Sequence, residues 1–129
     1  MIVRQKQLED LQPLAEKDFI KRLIDHLQAE YPYEIAQYPQ PELRKMVRNG
    51  ISRARRYGIS VESSLAAFVD LMFTVAPNFD EQPQINAVLK GPSAPPDTRV
   101  ELLGEATLPQ DWERTDNLYD EAAWNVSFD

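Results

Sequence analysis

Residues 41–58 read PELRKMVRNGISRARRYG and predict a well-delimited amphipathic helix. Its apolar residues recur at the three- and four-residue spacings of one helix face. They are Leu43, Met46, Val47, Ile51, Ala54 and Tyr57. Pro41 suits the first turn of a helix, and Gly58 suits the left-handed residue that ends one. Gly50 lies in the apolar stripe, where its missing side chain would let another backbone approach closely.

Two further long helices are predicted on either side of this segment. The apolar spacing over residues 8–31 predicts a first helix, which either kinks at Pro13 or begins anew there, and which ends before Pro32. After residue 58, Ser60 is the expected N-cap of a third helix that extends to about Ala76. Because this third helix is apolar nearly all round, we expect it to be central.

Smaller elements complete the predicted fold. Residues 82–90 and 97–103 each predict a short helix, and the helical periodicity disappears beyond Gly104. The best candidate for a short strand is Trp124–Phe128. The sequence therefore predicts an all-α protein, a compact bundle of three main helices with one or two short helices and an irregular acidic C-terminal tail.

The chain has a net charge of −7, and its excess of acid lies near the C-terminus. Residues 105–129 hold seven of the 21 acidic side chains but only one of the 14 basic ones. We therefore divide the chain into a near-neutral helical domain, residues 1–104, and an acidic aromatic C-terminal extension, residues 105–129. The negative total disfavours nucleic acid as a partner, because phosphate binding needs a positive field.

The sequence contains no pattern that indicates catalysis, cofactor binding or metal binding. It has no cysteine and a single histidine, His26, which excludes disulfides, thiolate zinc sites and a cysteine nucleophile. It also lacks a glycine-rich phosphate loop. We expect no catalytic, cofactor-binding or metal-binding residue; a small enzyme using His26, Asp70 or Asp80 is the remote alternative. No apolar run reaches the roughly 18 residues that span a bilayer, so we expect a cytoplasmic protein that does not bind membranes.

The helix over residues 41–58 is the first candidate for binding a protein partner. Six basic side chains accompany a single acidic one, Glu42. Of the six, we predict Arg48, Arg55 and Arg56 as partner contacts. Two alternatives stay open: these arginines pair with carboxylates of the first helix, or the chain's own acidic extension folds over them.

The C-terminal extension is the second candidate, since it contains both tryptophans of the chain among its acids. Large aromatic side chains commonly anchor protein interfaces. We therefore predict Trp112, Tyr119, Trp124 and Phe128 as partner contacts. The alternative is that the extension wraps its own domain and that the tryptophans complete the core.

Part of the chain resembles a family of small uncharacterised bacterial proteins. The matching segments are Gly50–Ile59 (GISRARRYGI), Phe68–Phe73 (FVDLMF), and Phe79-Asp80 followed by Pro83. Together they are similar to a pattern found in helical proteins that are encoded beside type VI secretion spike and effector genes. The resemblance covers about residues 1–90. This chain departs from it at Ala76-Pro77-Asn78, where a glycine usually precedes the Phe-Asp pair.

The resemblance implies a non-enzymatic accessory factor, an adaptor or chaperone, that binds a type VI effector toxin or its spike carrier. It transfers no catalytic residue and implies no cofactor. The close alternative is an immunity protein that binds and blocks a cognate toxin, since an acidic extension would suit a toxin with a basic active site. Both expectations name a protein as the partner.

Overall fold

A computed structural model describes the backbone of residues 5–92 and 94–125, and the side chains of residues 15–125 except those of residues 93, 116 and 117. Over these residues the protein is all-α, as predicted. The α-helices are α1 (Gln5–Glu30), α2 (Pro32–Ile35), α3 (Gln40–Arg55), α4 (Glu62–Thr74), α5 (Pro83–Lys90), α6 (Pro96–Ala106) and α7 (Pro109–Glu113). Short 3-10 helices lie at Phe79–Glu81, Arg114–Leu118 and Glu121–Asn125.

The three long helices α1, α3 and α4 form the bundle, and α4 is its centre. Helix α1 continues through Pro13 and ends at Glu30. This end agrees with the prediction that the first helix stops before Pro32. Helix α4 contacts α1, α2, α3 and α6. Its Phe68 is fully buried and packs 4.8 Å from Phe79, centroid to centroid. This core pair joins α4 to the 3-10 helix that precedes α5.

Two glycines have the roles that the sequence predicts. A Cβ atom at Gly50 would lie 3.1 Å from Met72 Sδ and 3.1 Å from Val69 Cγ2, so the missing side chain lets α3 pack closely on α4. Gly58 has a φ angle of 85°, in the left-handed region that favours glycine. Its N–H donates to Arg55 O at 2.9 Å, which closes the end of α3.

The start of α4 differs from the prediction. Ser60 was expected to be the N-cap, but Val61 occupies that position and the helix begins at Glu62. The backbone N–H groups of Ser60 and Val61 instead donate to Asp97 Oδ1, at 2.7 and 2.8 Å. The bonds from Val61 and Ser60 lower the pKa of the Asp97 carboxyl. Because Asp97 belongs to the first turn of α6, these bonds also fix α6 against α4.

The described part of the C-terminal extension packs against the helices. Helix α6 continues to Ala106, two residues beyond the boundary that we placed after Gly104. The strand predicted from Trp124 is wrong where it can be compared, because Trp124 and Asn125 lie in a 3-10 helix. Residues 126–128 of that predicted strand lie outside the described residues.

Candidate partner-binding site

Trp124, one of the predicted partner contacts, is buried in its own domain. Its side chain is only 4% exposed, and its ring centroid lies 4.4 Å from that of Phe73 on α4. Asn49 of α3 donates from Nδ2 to the Trp124 carbonyl oxygen at 2.6 Å. Trp124 therefore completes the core, the alternative that we left open, and in this fold it cannot act as an exposed anchor.

The other predicted aromatic contacts have different environments. Trp112 is partly buried: its ring stacks on Phe79 with centroids 6.3 Å apart, and its Nε1 donates to Thr107 Oγ1 at 2.9 Å. Tyr119 is 49% exposed and stays accessible to a partner. Phe128 lies outside the described residues. Of the three aromatic candidates that the structure describes, Tyr119 is therefore the one at the surface.

A buried asparagine holds the extension on the domain. Asn78 donates from Nδ2 to Leu118 O at 2.6 Å, and its Oδ1 accepts from the Asp120 N–H at 2.9 Å. In the sequence, Asn78 stands out only as a departure from the pattern that this part of the chain resembles. No local signal identifies its role, because both partners lie at least 40 residues away.

Helix α3 presents the predicted basic side chains on one face. Arg44, Arg48 and Arg55 recur at spacings of four and seven residues, and Lys45 and Arg56 adjoin them. All five side chains are exposed. At 1.5 Å per residue, the row from Arg44 to Arg56 is about 18 Å long. We call these five residues the basic face.

The basic face is partly neutralised by α1. Arg55 NH1 lies 2.7 Å from Glu16 Oε1, and both side chains are partly exposed. The alternative that these arginines pair with carboxylates of the first helix is therefore confirmed at Arg55. Arg48 has no ion pair with any side chain that the structure describes. The described extension touches α3 at Asn49, at the edge of this face.

Arg53 lies on the inner side of α3 and forms a buried cluster with Asp80 and Tyr57. Arg53 is 7% exposed and Asp80 is 2% exposed. Arg53 Nε donates to Asp80 Oδ1 at 2.9 Å and to Oδ2 at 3.0 Å, and Tyr57 OH donates to Oδ2 at 2.6 Å. Burial, followed by its bond to the carboxylate, raises the pKa of Tyr57, so its hydroxyl keeps its proton. Asp80 is thus occupied by structural bonds.

This buried cluster forms the floor of an open cleft between the end of α3, the 3-10 helix Phe79–Glu81, α5 and α6. The cleft has a volume of about 630 Å³. Its charged lining residues are Arg53, Arg56, Lys90 and Arg99, with Asp80 and Glu81. Basic side chains therefore outnumber acidic ones, and we call it the cationic cleft. The cationic cleft was not predicted, because Lys90 and Arg99 are far from α3 in the sequence and belong to no basic cluster.

Arg99 helps to build the wall of the cationic cleft. Its Nε donates to Ala94 O at 2.8 Å, and its NH1 donates to Leu89 O at 3.1 Å. These carbonyl oxygens satisfy two donors but carry no formal charge. The positive charge of Arg99 is therefore not cancelled by these bonds.

His26 and Asp70, two residues of the remote enzymatic alternative, join α1 to α4. The distance between His26 Nε2 and Asp70 Oδ2 is 3.0 Å. Burial raises the pKa of Asp70, and the hydrogen bond to His26 opposes that rise. Asp70 Oδ1 is buried with no hydrogen-bond partner among the described groups. Among described side chains, no three histidine or carboxylate groups meet in a way that could hold a metal ion.

Comparison of the chain with protein-family models, curated proteins and solved structures finds no match. Within the part of the chain that the structure describes, no helix is long and apolar enough to cross a membrane. The function of the basic face and the cationic cleft must therefore be argued from their own chemistry.

Proposed function

We propose that this protein is a non-enzymatic accessory factor that binds an acidic surface of a protein partner through the basic face of α3. The observation that carries the proposal is the row of five exposed basic side chains, about 18 Å long, on one side of one helix. Only one acidic residue, Glu42, belongs to the same helix. Complementary charge of this kind mainly raises association rates and selects among partners.

The sequence resemblance supplies the proposed identity of the partner, a type VI effector toxin or its spike carrier. The proposed role is that of an adaptor or chaperone, which acts by covering a surface of its partner. A protein is a better partner than a nucleic acid, because a net charge of −7 repels a long polyanion beyond the immediate neighbourhood of the basic face.

The proposal is tested by co-purification of the full chain with the products of its neighbouring genes. We expect one of them to be captured at about 0.1 M salt and released at about 1 M, because the Debye length falls from about 10 Å to about 3 Å. Arg48→Glu should reduce the capture, since Arg48 is exposed in the middle of the basic face. The matched control is Arg114→Glu, which makes the same change of charge at an exposed position outside α3.

Two results would contradict the proposal. One is that no neighbouring gene product is captured at low salt; the other is that both variants lose the partner equally. Circular dichroism of each variant checks that its helices are intact. The immunity alternative is separated from the adaptor role by cell survival: an immunity protein protects cells that express the captured toxin, whereas an adaptor does not.

A further inference from the structure

We infer that the cationic cleft is a pocket for carboxylate side chains, so that the partner docks on α3 with an exposed Asp or Glu of an acidic segment inserted into the cleft. The inference rests on the proposed function, because Arg56 belongs both to the basic face and to the lining of the cleft. A partner that covers the end of α3 therefore also covers the mouth of the cleft.

The size of the cleft suits a short peptide segment. Its volume, about 630 Å³, lies within the range of about 300–1,000 Å³ that is typical of ligand sites. Leu89 contributes an apolar wall, while Tyr57 and Asn86 contribute polar groups. A cleft of this size holds a few side chains of a segment, with an acidic one at the cations.

The charge balance of the cleft favours an anion. Asp80 compensates Arg53 through direct hydrogen bonds, whereas Glu81 is a longer 3.9 Å from the same guanidinium. Lys90 is exposed and has no ion-pair partner among the described side chains. Arg99 bonds to neutral carbonyl oxygens. With Arg53 bonded to Asp80, the remaining lining cations are Arg56, Lys90 and Arg99 against the single carboxylate of Glu81, so the net charge of the lining is positive.

The floor of the cleft is already fixed before any ligand binds. Tyr57 OH and Arg53 Nε are both bonded to Asp80, and Asn86 Nδ2 donates to the Asp80 carbonyl oxygen at 3.0 Å. A rigid floor loses little conformational entropy on binding. Lys90 can adjust at the rim, so it is the side chain that would approach the incoming carboxylate.

A discrete carboxylate fits this cleft better than a continuous polyanion. Asp80 and Glu81 lie among the cations, and a phosphate backbone running through the cleft would meet them as well. Beyond about 10 Å, salt screens the attraction of the cleft, and the negative total charge of the chain opposes a long anion. A side-chain carboxylate meets only the local cations.

The test measures binding of a fluorescent peptide of about ten residues to the full chain by fluorescence polarisation. One probe carries three consecutive glutamates in a Gly/Ser background, and the matched probe carries three glutamines. We expect saturable binding of the glutamate peptide at about 50 mM salt and at least about tenfold weaker binding of the glutamine peptide, since a charge-assisted hydrogen bond is worth that factor or more.

Three charge-reversal variants locate the binding. Lys90→Glu should weaken glutamate-peptide binding by about tenfold or more, because it replaces a cation of the cleft with an anion. Arg114→Glu, outside the cleft, should change the affinity by less than about twofold. Arg48→Glu should also have little effect on the short peptide, although it should reduce capture of the whole partner, since Arg48 belongs to the basic face but not to the cleft.

Several outcomes would overturn the inference. One is equal affinity for the glutamate and glutamine peptides. Others are an unchanged affinity for the glutamate peptide in Lys90→Glu, or a loss of that affinity in Arg114→Glu as large as in Lys90→Glu. The last is that a single-stranded oligonucleotide displaces the labelled peptide more effectively than unlabelled glutamate peptide does. If these occur while Arg48→Glu still reduces partner capture, the carboxylate pocket is wrong and the proposed function stands. If the peptides behave as expected but no partner is captured, the proposed function is wrong and the carboxylate pocket stands.

Discussion

Replacing Asp80 with alanine should strongly destabilise the protein, because it removes the carboxylate from the buried cluster with Arg53 and Tyr57. Arg53 and Asp80 are only 7% and 2% exposed, so the substitution removes the carboxylate that is bonded to a nearly buried guanidinium. Two donors would lose their acceptor at once, Arg53 Nε and Tyr57 OH. The guanidinium would keep its charge, since arginine does not deprotonate in proteins.

The size of the effect follows from these bonds. Removing one partner of a buried ion pair typically costs about 3–5 kcal/mol. Glu81 lies 3.9 Å from Arg53 and partly compensates its charge, so we expect Asp80→Ala to cost about 3 kcal/mol. Tyr57→Phe removes a single hydrogen bond to a charged group and should cost about 1.5–3 kcal/mol. Since whole domains are stable by only about 5–15 kcal/mol, both effects are readily measured.

Urea denaturation followed by circular dichroism at the helix band measures these free energies of unfolding. Urea is preferred to guanidinium chloride, because the latter is a salt and screens charges. The matched control replaces the pair itself, with Arg53→Met and Asp80→Leu in one chain. Apolar replacement of a buried pair is often neutral or stabilising, so the double variant should be more stable than Asp80→Ala.

The interpretation of the cluster is refuted if Asp80→Ala costs less than about 1 kcal/mol, a value typical of an ordinary neutral hydrogen bond. It is also refuted if the double apolar variant is no more stable than Asp80→Ala. That result would mean that shape at this position, and not an uncompensated buried charge, determines the loss of stability.

Three further predictions use the same urea assay. Gly50→Ala should lower the free energy of unfolding by between zero and about 2 kcal/mol. Crowding of Met72 costs about 1–3 kcal/mol, and the higher helix propensity of alanine offsets about 1 kcal/mol of that cost. A clear stabilisation would contradict the close approach of α3 and α4. Trp124→Ala should lower the free energy of unfolding by about 3–5 kcal/mol, as for other buried aromatic residues. A loss below about 1 kcal/mol would mean that Trp124 contributes little to the core. Burial raises the pKa of Asp70, so its contribution to stability is present below its ordinary pKa of about 4 and is lost as pH rises through the raised value. Asp70→Asn should therefore flatten the fall in stability above about pH 4, and an unchanged pH dependence would contradict the burial of this carboxyl.

The helices were predictable because their signals are local. The apolar spacing placed the second long helix at residues 41–57, and α3 spans Gln40–Arg55. The role of Gly58 depends on residues within one turn, because its N–H donates to Arg55 O. The apolar stripe marks Gly50 as a packing position, but the residues it packs against, Val69 and Met72, belong to α4 and are not indicated by that stripe. The buried position of Arg53 was also within reach: it lies three residues after Gly50 and seven after Met46, on the apolar stripe. The prediction counted Arg53 only as one of the six basic side chains of the helix and did not use its position on the apolar stripe.

The parts that sequence analysis missed depend on contacts between distant residues. Asp97 bonds the N–H groups before α4 across 36 and 37 positions, and Asn78 reaches Leu118 across 40. Aspartate and asparagine are common in turns, so neither residue type predicts its particular partner. The cationic cleft has the same origin, because Lys90 and Arg99 meet the end of α3 only after α5 and α6 have packed.

The distribution of charge reconciles the proposed acidic partner with a net charge of −7. Most of the excess acid belongs to the extension, whose described part crosses α3 at Asn49 and leaves Glu121 exposed. On the helix circumference, Asn49 adjoins the basic face. Glu121 of the extension lines a small cavity with Glu42 of α3, and Glu16 of α1 pairs with Arg55 within the basic face. In the proposed complex, the attraction acts along the basic face, a strip that reaches the cationic cleft at Arg56. A narrow acidic segment can follow that strip, whereas a broad polyanion would also meet the carboxylates beside it.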